Sequence, residues 1–198
     1  SGHRVIATAR NPATLTELAT RFPDTCRVFA LDVTDSAQVK NVVAESAAAF
    51  GRLDVIVNNA GYGLVGAFEE LCEEQIARNF SVNFFGALEV IRAALPILRA
   101  QGSGHIMNIS AAAVISNYAG FSIYGAAKWA LEGLTESLAA ELKPLGIKVT
   151  IVQPGPFPTD FINRPLEPAE NPIPHSHRTT GNYPRLPHQM SATTPGAP

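Results

Sequence analysis

Leu53-Asp54-Val55-Ile56-Val57-Asn58-Asn59-Ala60-Gly61 is the stretch on which the fold turns. Its first five residues are short and mostly apolar, the pattern of a parallel strand covered on both faces. A loop of amides and glycine follows at once, and Gly63 and Gly66 extend it. In a parallel sheet, ligands bind beyond the carboxyl ends of the strands. Small residues and amides at that point let a flat ligand approach the backbone.

Working outward, the same alternation recurs on both sides. Arg4–Ala9 reads as a strand, and Asn11-Pro12 supplies an N-cap and first-turn proline for a helix carrying Leu15, Leu18, Ala19 and Phe22. Arg27–Leu31 reads as the second strand. Thr34-Asp35-Ser36 opens a helix with Val39, Val42, Val43 and Phe50 on one face, closed by Gly51. After the central loop, a helical region runs from about Glu73 to Arg99, with Pro96 near its end. His105–Ile109 is a fourth strand, Ile123–Leu142 a helix and Lys148–Val152 a fifth strand. Strands alternating with helices predict an α/β fold, a doubly wound parallel sheet with helices on both faces.

The chain has 198 residues, 46% hydrophobic and 16% charged, enough to bury a core. Residues 1–164 are expected to form one domain. Residues 165–198 differ: eight of the 34 are proline, so this stretch is expected to be an extended or disordered tail. Its His175, His177 and His188 read as solvated polar residues, and no metal site is expected. Fifteen Lys+Arg against 17 Asp+Glu give a net charge of −2, with no basic footprint for nucleic acid or membrane. Apolar runs fall well short of the roughly 18 residues of a membrane span. Cys26 and Cys72 are the only cysteines, which fits a reducing, cytoplasmic setting.

Chemistry concentrates at Tyr124-Gly-Ala-Ala-Lys128. Positions i and i+4 share a helix face. The Lys128 charge favours a phenolate and is expected to lower the pKa of Tyr124, which suits proton transfer. Asn83 lies in Ser81-Val82-Asn83-Phe84-Phe85-Gly86, and Pro154-Gly155-Pro156-Phe157-Pro158-Thr159 follows the last strand. Each element is weak singly; their order is specific. Phe121, Ile123 and Phe157 supply apolar surface near the tyrosine, or ordinary loop packing.

On these residues the chain resembles the short-chain dehydrogenase/reductase family over about residues 3–165. The resemblance implies an oxidoreductase passing hydride between a nicotinamide cofactor and a carbonyl or alcohol substrate. It implies Tyr124 as general acid/base and Lys128 as the residue that binds the nicotinamide ribose and lowers the tyrosine pKa. It matches Asn83 to the asparagine that holds a relay water, and Asn58, Ala60 and Gly61 to the loop beside the adenosine. Asp32 and Val33 match the adenine contacts; Pro154, Gly155 and Thr159 match the segment touching the carboxamide. It also implies a homodimer or homotetramer through the long helices. Arg10 ends the first strand with no carboxylate beside it in Thr8-Ala9-Arg10, which favours NADP(H) over NAD(H).

Two departures stand out. The family places a serine thirteen residues before the tyrosine, and here that position is Ala111; Ser110 is fourteen before. Either the donor is replaced, costing about 10²–10³ in rate, or the loop carries one extra residue and Ser110 serves. The second departure is that the family's opening strand and T-G-x-x-x-G-x-G loop do not precede Gly2-His3. That strand is the central one in a 3-2-1-4-5-6 order, so the sheet is expected to be split there. The family's far edge strand is also not seen. These features are expected of a truncated copy that binds NADPH weakly or not at all by itself with negligible turnover, or of an inactive binding relative.

Overall fold

The computed structural model describes residues 2–112, 118–155 and 166–174. In chain order the elements are β1 (Val5–Ala9), α1 (Thr16–Arg21), β2 (Cys26–Ala30), α2 (Ser36–Phe50), β3 (Val55–Asn58), β4 (Leu64–Val65), α3 (Glu73–Phe80) and α4 (Gly86–Gln101). They continue with β5 (Gly104–Ile109), α5 (Ser122–Leu142), β6 (Ile147–Val152) and β7 (Glu167–Pro168). The expected strands and long helices all form, with ends shifted by one or two residues.

Local chemistry sets the boundaries. The Asn11 side chain accepts from the Ala13 N–H at 3.1 Å and starts a 3₁₀ turn at Pro12. The Asp35 carboxylate accepts from the Ala37 and Gln38 N–H groups, both at 3.0 Å, and caps α2. Gly51 ends that helix in the left-handed region at φ 76°, where a side chain would be strained.

All ladders are parallel. β1 pairs with β2, and β5 lies between β3 and β6. Among the described residues no ladder joins β1 to β3, as a sheet split at its central strand predicts. On the strands flanking that split, Val5 is 47%, Val55 51% and Val57 55% exposed. The buried core lies on the other side, where Val39 and Val43 of α2 meet Ile91, Ala94 and Leu98 of α4, Ile106 of β5 and Ile147 of β6. Truncating Ile106, wholly buried at its centre, is expected to cost about 2–5 kcal/mol.

Two features add to what the sequence predicts. α3 and α4 are joined by a π-turn (Ser81–Phe85) into one helix, Glu73–Gln101, with mean hydropathy 1.4 in its most apolar stretch. By length and composition alone this helix could cross a membrane, although its unbroken apolar runs are short. It buries Gln75, Asn79 and Asn83 as well as Ile91 and Leu98, and it packs on α2 and α5, which makes it a core helix here. Second, part of the proline-rich segment is folded. β7 pairs with β4, Gln75 Nε2 donates to the Pro168 carbonyl at 2.8 Å, and Arg78 forms an ion pair with Glu167. The buried Glu70 carboxylate accepts from Ala67 N–H and Ile173 N–H, each at 2.8 Å. Proline lacks a donor but its carbonyl still accepts, so residues 166–174 can be fastened by side chains where composition alone sees a tail. His175, His177 and His188 lie outside the described residues.

Candidate active site

β3, β5 and β6 point their carboxyl ends toward the same side of the sheet because the ladder is parallel. Asn58 ends β3, and Ser110 and Gln153 follow β5 and β6. α5 runs back across this end and carries Tyr124 and Lys128 on one face. Both side chains are 4% exposed. Lys128 Nζ donates to the Ile109 carbonyl at 2.8 Å and lies 5.9 Å from the centre of the Tyr124 ring. Phe121 packs its ring 5.9 Å from that of Tyr124.

Burial dominates the ionisation of the pair. It pushes the Tyr124 phenol up to about 12 and the Lys128 ammonium down to about 8, each by disfavouring the charged form. This corrects the expectation that the lysine charge lowers the tyrosine pKa. Burial is the cause of both shifts.

Asn83 sits on the π-turn, 1% exposed, and its amide is used on the backbone. Nδ2 donates to the carbonyls of Tyr62 (3.0 Å) and Asn79 (3.1 Å), and Oδ1 accepts the Tyr62 N–H at 3.1 Å. Asn83 therefore pins the loop after Gly61 to the long helix. The approach is close: a Cβ at Gly61 would lie 2.5 Å from Asn83 Oδ1 and 3.4 Å from Lys128 Nζ. Only glycine fits without displacing Asn83. Asn58 Nδ2 donates to Asn108 Oδ1 at 2.8 Å, and Asn108 Nδ2 donates to Thr135 Oγ1 at 2.8 Å. This buried relay ties β3 and β5 to α5.

Ser110 has one hydroxyl proton, and it goes to the buried carboxylate of Glu132. Gln153 Nε2 donates to the same oxygen at 2.9 Å. Ala111 stands next to Ser110 and offers no donor. Glu132 and Thr135 escaped the sequence reading, although their spacings of four and seven from Lys128 put them on its face of the helix.

Asp32 and Val33, the expected adenine contacts, lie just after β2. Asp32 Oδ1 accepts from Thr34 Oγ1 at 2.7 Å and Thr34 N–H at 2.9 Å. These bonds hold its carboxyl below the usual carboxylate range, and Arg10 nearby adds to the effect. Val33 packs on Gly86, where a Cβ would come within 2.5 Å of Val33 Cγ2. Ala60, Gly61 and Gly155 are exposed, and Pro154 accepts from the Ala112 N–H at 3.0 Å. Thr159 and Phe157 lie outside the described residues.

The residues present fit a nicotinamide cofactor at its two ends. Gly155 is exposed, and nothing lies within 4 Å of where a Cβ on it would sit. The buried Tyr124–Lys128 pair stands at one end, and exposed Arg10 with half-buried Asp32 at the other. Among the described residues no cluster of His, Cys, Asp and Glu is arranged to hold a metal.

Comparison with known proteins bears on this geometry. The family described as short chain dehydrogenase matches residues 1–169. The chain is 41% identical over 169 residues to Oxidoreductase BOA17 of Botryotinia fuckeliana, covering 84% of this chain and 61% of that protein. It is 40% identical over 162 residues to 3-ketodihydrosphingosine reductase of Bacteroides thetaiotaomicron, covering 81% and 57%. The chain thus spans about three-fifths of these two relatives. A short-chain dehydrogenase structure from Streptomyces avermitilis superposes with TM-score 0.87 at 39% identity, covering all of this chain and 78% of that one. A metagenomic short-chain oxidoreductase in complex with NADP gives 0.72 at 33% identity, covering 77% and 71%. A 3-ketoacyl-(acyl-carrier-protein) reductase from Brucella melitensis complexed with NADH gives 0.74 at 27%, covering 77% and 65%.

Proposed function

The chain belongs to the short chain dehydrogenase family, and on that premise we propose that it is an NADP(H)-dependent oxidoreductase that reduces a carbonyl, with Tyr124 as the proton donor. The observation that carries this reading is the Tyr124–Lys128 pair, buried on one helix face at the carboxyl ends of three parallel strands. A bound nicotinamide would supply hydride to the carbonyl carbon.

The protein's own part is proton and charge handling. At neutral pH burial keeps Tyr124 in its phenol form, the form able to protonate an oxyanion. As Tyr124 gives up its proton, the nearby Lys128 charge stabilises the developing phenolate. Lys128 carries that charge below about pH 8 and loses it above, so reduction is expected to fall as pH rises through that value. Asn83 holds the Tyr62 loop beside Lys128, with Gly61 leaving room for the Asn83 amide. Arg10, exposed at the end of β1, suits the extra phosphate of NADP.

Carbonyl reduction is supported by two relatives whose names state the reduction of 3-keto compounds. The exposed Phe85 and Trp129 at the long helices support self-association there. Two free cysteines support a reducing, cytoplasmic setting. A second reading, an impaired relative, has its own observation: Ala111 offers no donor and Ser110 is committed to Glu132.

The test is to incubate the full-length protein with NADPH or NADH and a panel of ketones and aldehydes, following loss of reduced nicotinamide absorbance. Turnover with NADPH supports the first reading. Cofactor binding without turnover on any carbonyl supports the second.

A further inference from the structure

Glu132 is 8% exposed, and none of the roles above uses it. It follows Lys128 by one turn and Tyr124 by two, so the three line one face of α5. Its Oε1 accepts the Ser110 hydroxyl and the Gln153 amide. Ser110 follows β5 directly and Gln153 follows β6 directly. The two segments stay paired beyond the strands: Ser110 N–H donates to the Val152 carbonyl at 2.8 Å and Ala112 N–H to the Pro154 carbonyl at 3.0 Å. Lys128 and Glu132 therefore grip consecutive residues, Ile109 by its carbonyl and Ser110 by its hydroxyl. Glu132 adds a hold on Gln153, the neighbour of Pro154-Gly155.

Removing a carboxylate from water carries a large desolvation penalty, offset only by strong hydrogen bonds. If filling space were the only need at this position, an apolar residue would serve at lower free energy. We propose that Glu132 is a positioning residue: through Ser110 and Gln153 it locks the ends of β5 and β6 to α5, and so fixes the Ile109 carbonyl that holds the Lys128 ammonium. This inference rests on the reading of Tyr124 and Lys128 given above. It also gives the Ser110 hydroxyl a job other than polarising substrate.

The chain has four lysines, Lys40, Lys128, Lys143 and Lys148, so a lysine-labelled sample gives a short, assignable set of ammonium resonances. The readout is the solvent exchange rate of the Lys128 ammonium protons, taken without cofactor, together with KM for NADPH and kcat in the full-length protein. Glu132→Ala is expected to raise the exchange rate and KM about tenfold, with a smaller change in kcat, because a misplaced group loses much of its effect. Glu132→Gln keeps an acceptor at the same point and is expected to stay within about threefold of wild type.

Unchanged exchange and KM in Glu132→Ala would overturn the proposal. Equal damage in both variants would also overturn it, by assigning the effect to charge. If Glu132→Ala fails to fold, Ser110→Ala removes the β5 tie alone and is expected to raise Lys128 exchange about threefold; no rise overturns the proposal. Loss of turnover in Tyr124→Phe, with Lys128 exchange indifferent to Glu132, would remove the positioning role and leave the functional reading intact.

Discussion

The β3-β5-β6 end and the β1-β2 end of the molecule are built on opposite principles. At the β3-β5-β6 end, Tyr124, Lys128, Asn83, Asn108, Ser110, Glu132 and Thr135 are all buried, and all but Tyr124, which packs on Phe121, are shown hydrogen-bonded to one another or to backbone. At the β1-β2 end, Arg10 is exposed, and the partners given to Asp32 lie within a few residues of it. Burial pushes the Tyr124 phenol up to about 12 and the Lys128 ammonium down to about 8 at the first end. At the second, water screens the charges. The difference teaches where each kind of function can sit. Proton transfer needs a dry, preorganised pair, whereas recognition of a charged phosphate tolerates a wet, flexible arginine.

Predictions that break this comparison act first on the dry end. Lys128→Met removes the cation behind Tyr124 and is expected to lower kcat/KM about 10²–10³-fold, by the magnitude typical of one electrostatic stabiliser. Steady-state kinetics at pH 7 check it; a loss under threefold would separate Lys128 from the reaction. Ala111→Ser restores a donor beside Ser110 and is expected to raise kcat about 10–10²-fold. No gain would show that the site works without that hydroxyl.

Stability gives a middle-sized effect. Asn108 is 0% exposed and bonded to both Asn58 and Thr135. Asn108→Ala removes both bonds from the buried end of the relay, leaving Thr135 only its bond to the Leu131 carbonyl, and is expected to cost about 1–3 kcal/mol in chemical denaturation. Buried Lys128 also makes stability depend on pH. Its folded pKa, about 8, lies below the ordinary 10.5, so the unfolded chain binds more protons between those values. Stability therefore rises with pH from about 8 to 10. Tyr124 has the opposite sign: its pKa of about 12 against 10 makes stability fall above pH 10. The rise should vanish in Lys128→Met, as thermal melts across that range would show. At the wet end, Arg10→Ala is expected to reduce the preference for NADPH over NADH by about tenfold, the smallest of these effects on turnover. An unchanged ratio of kcat/KM values would remove Arg10 from cofactor choice.

The same contrast explains what was legible in the sequence. Strand and helix order follow from apolar periodicity and caps such as Asn11, Asp35 and Gly51, which are local signals. That Tyr124 and Lys128 share one helix face was legible because their spacing is local too. The bond from Ser110 to Glu132 was not, since the two lie 22 residues apart in sequence. Burial of both members of the Tyr124–Lys128 pair reversed the expected shift of the tyrosine, because desolvation depends on what packs around a helix face. The anchoring of residues 166–174 rests on Glu70, Gln75 and Arg78, nearly a hundred residues earlier, and composition could not reveal it.

The central claim is that Tyr124 supplies the proton in a nicotinamide-dependent carbonyl reduction. The most direct test is single-turnover oxidation of saturating NADPH by a carbonyl substrate, comparing the full-length wild type with Tyr124→Phe. The ring and its packing against Phe121 survive that change, and only the hydroxyl is lost. The expected result is a rate at least about 10³-fold lower in the variant with NADPH affinity retained. Equal rates in the two proteins would contradict the account.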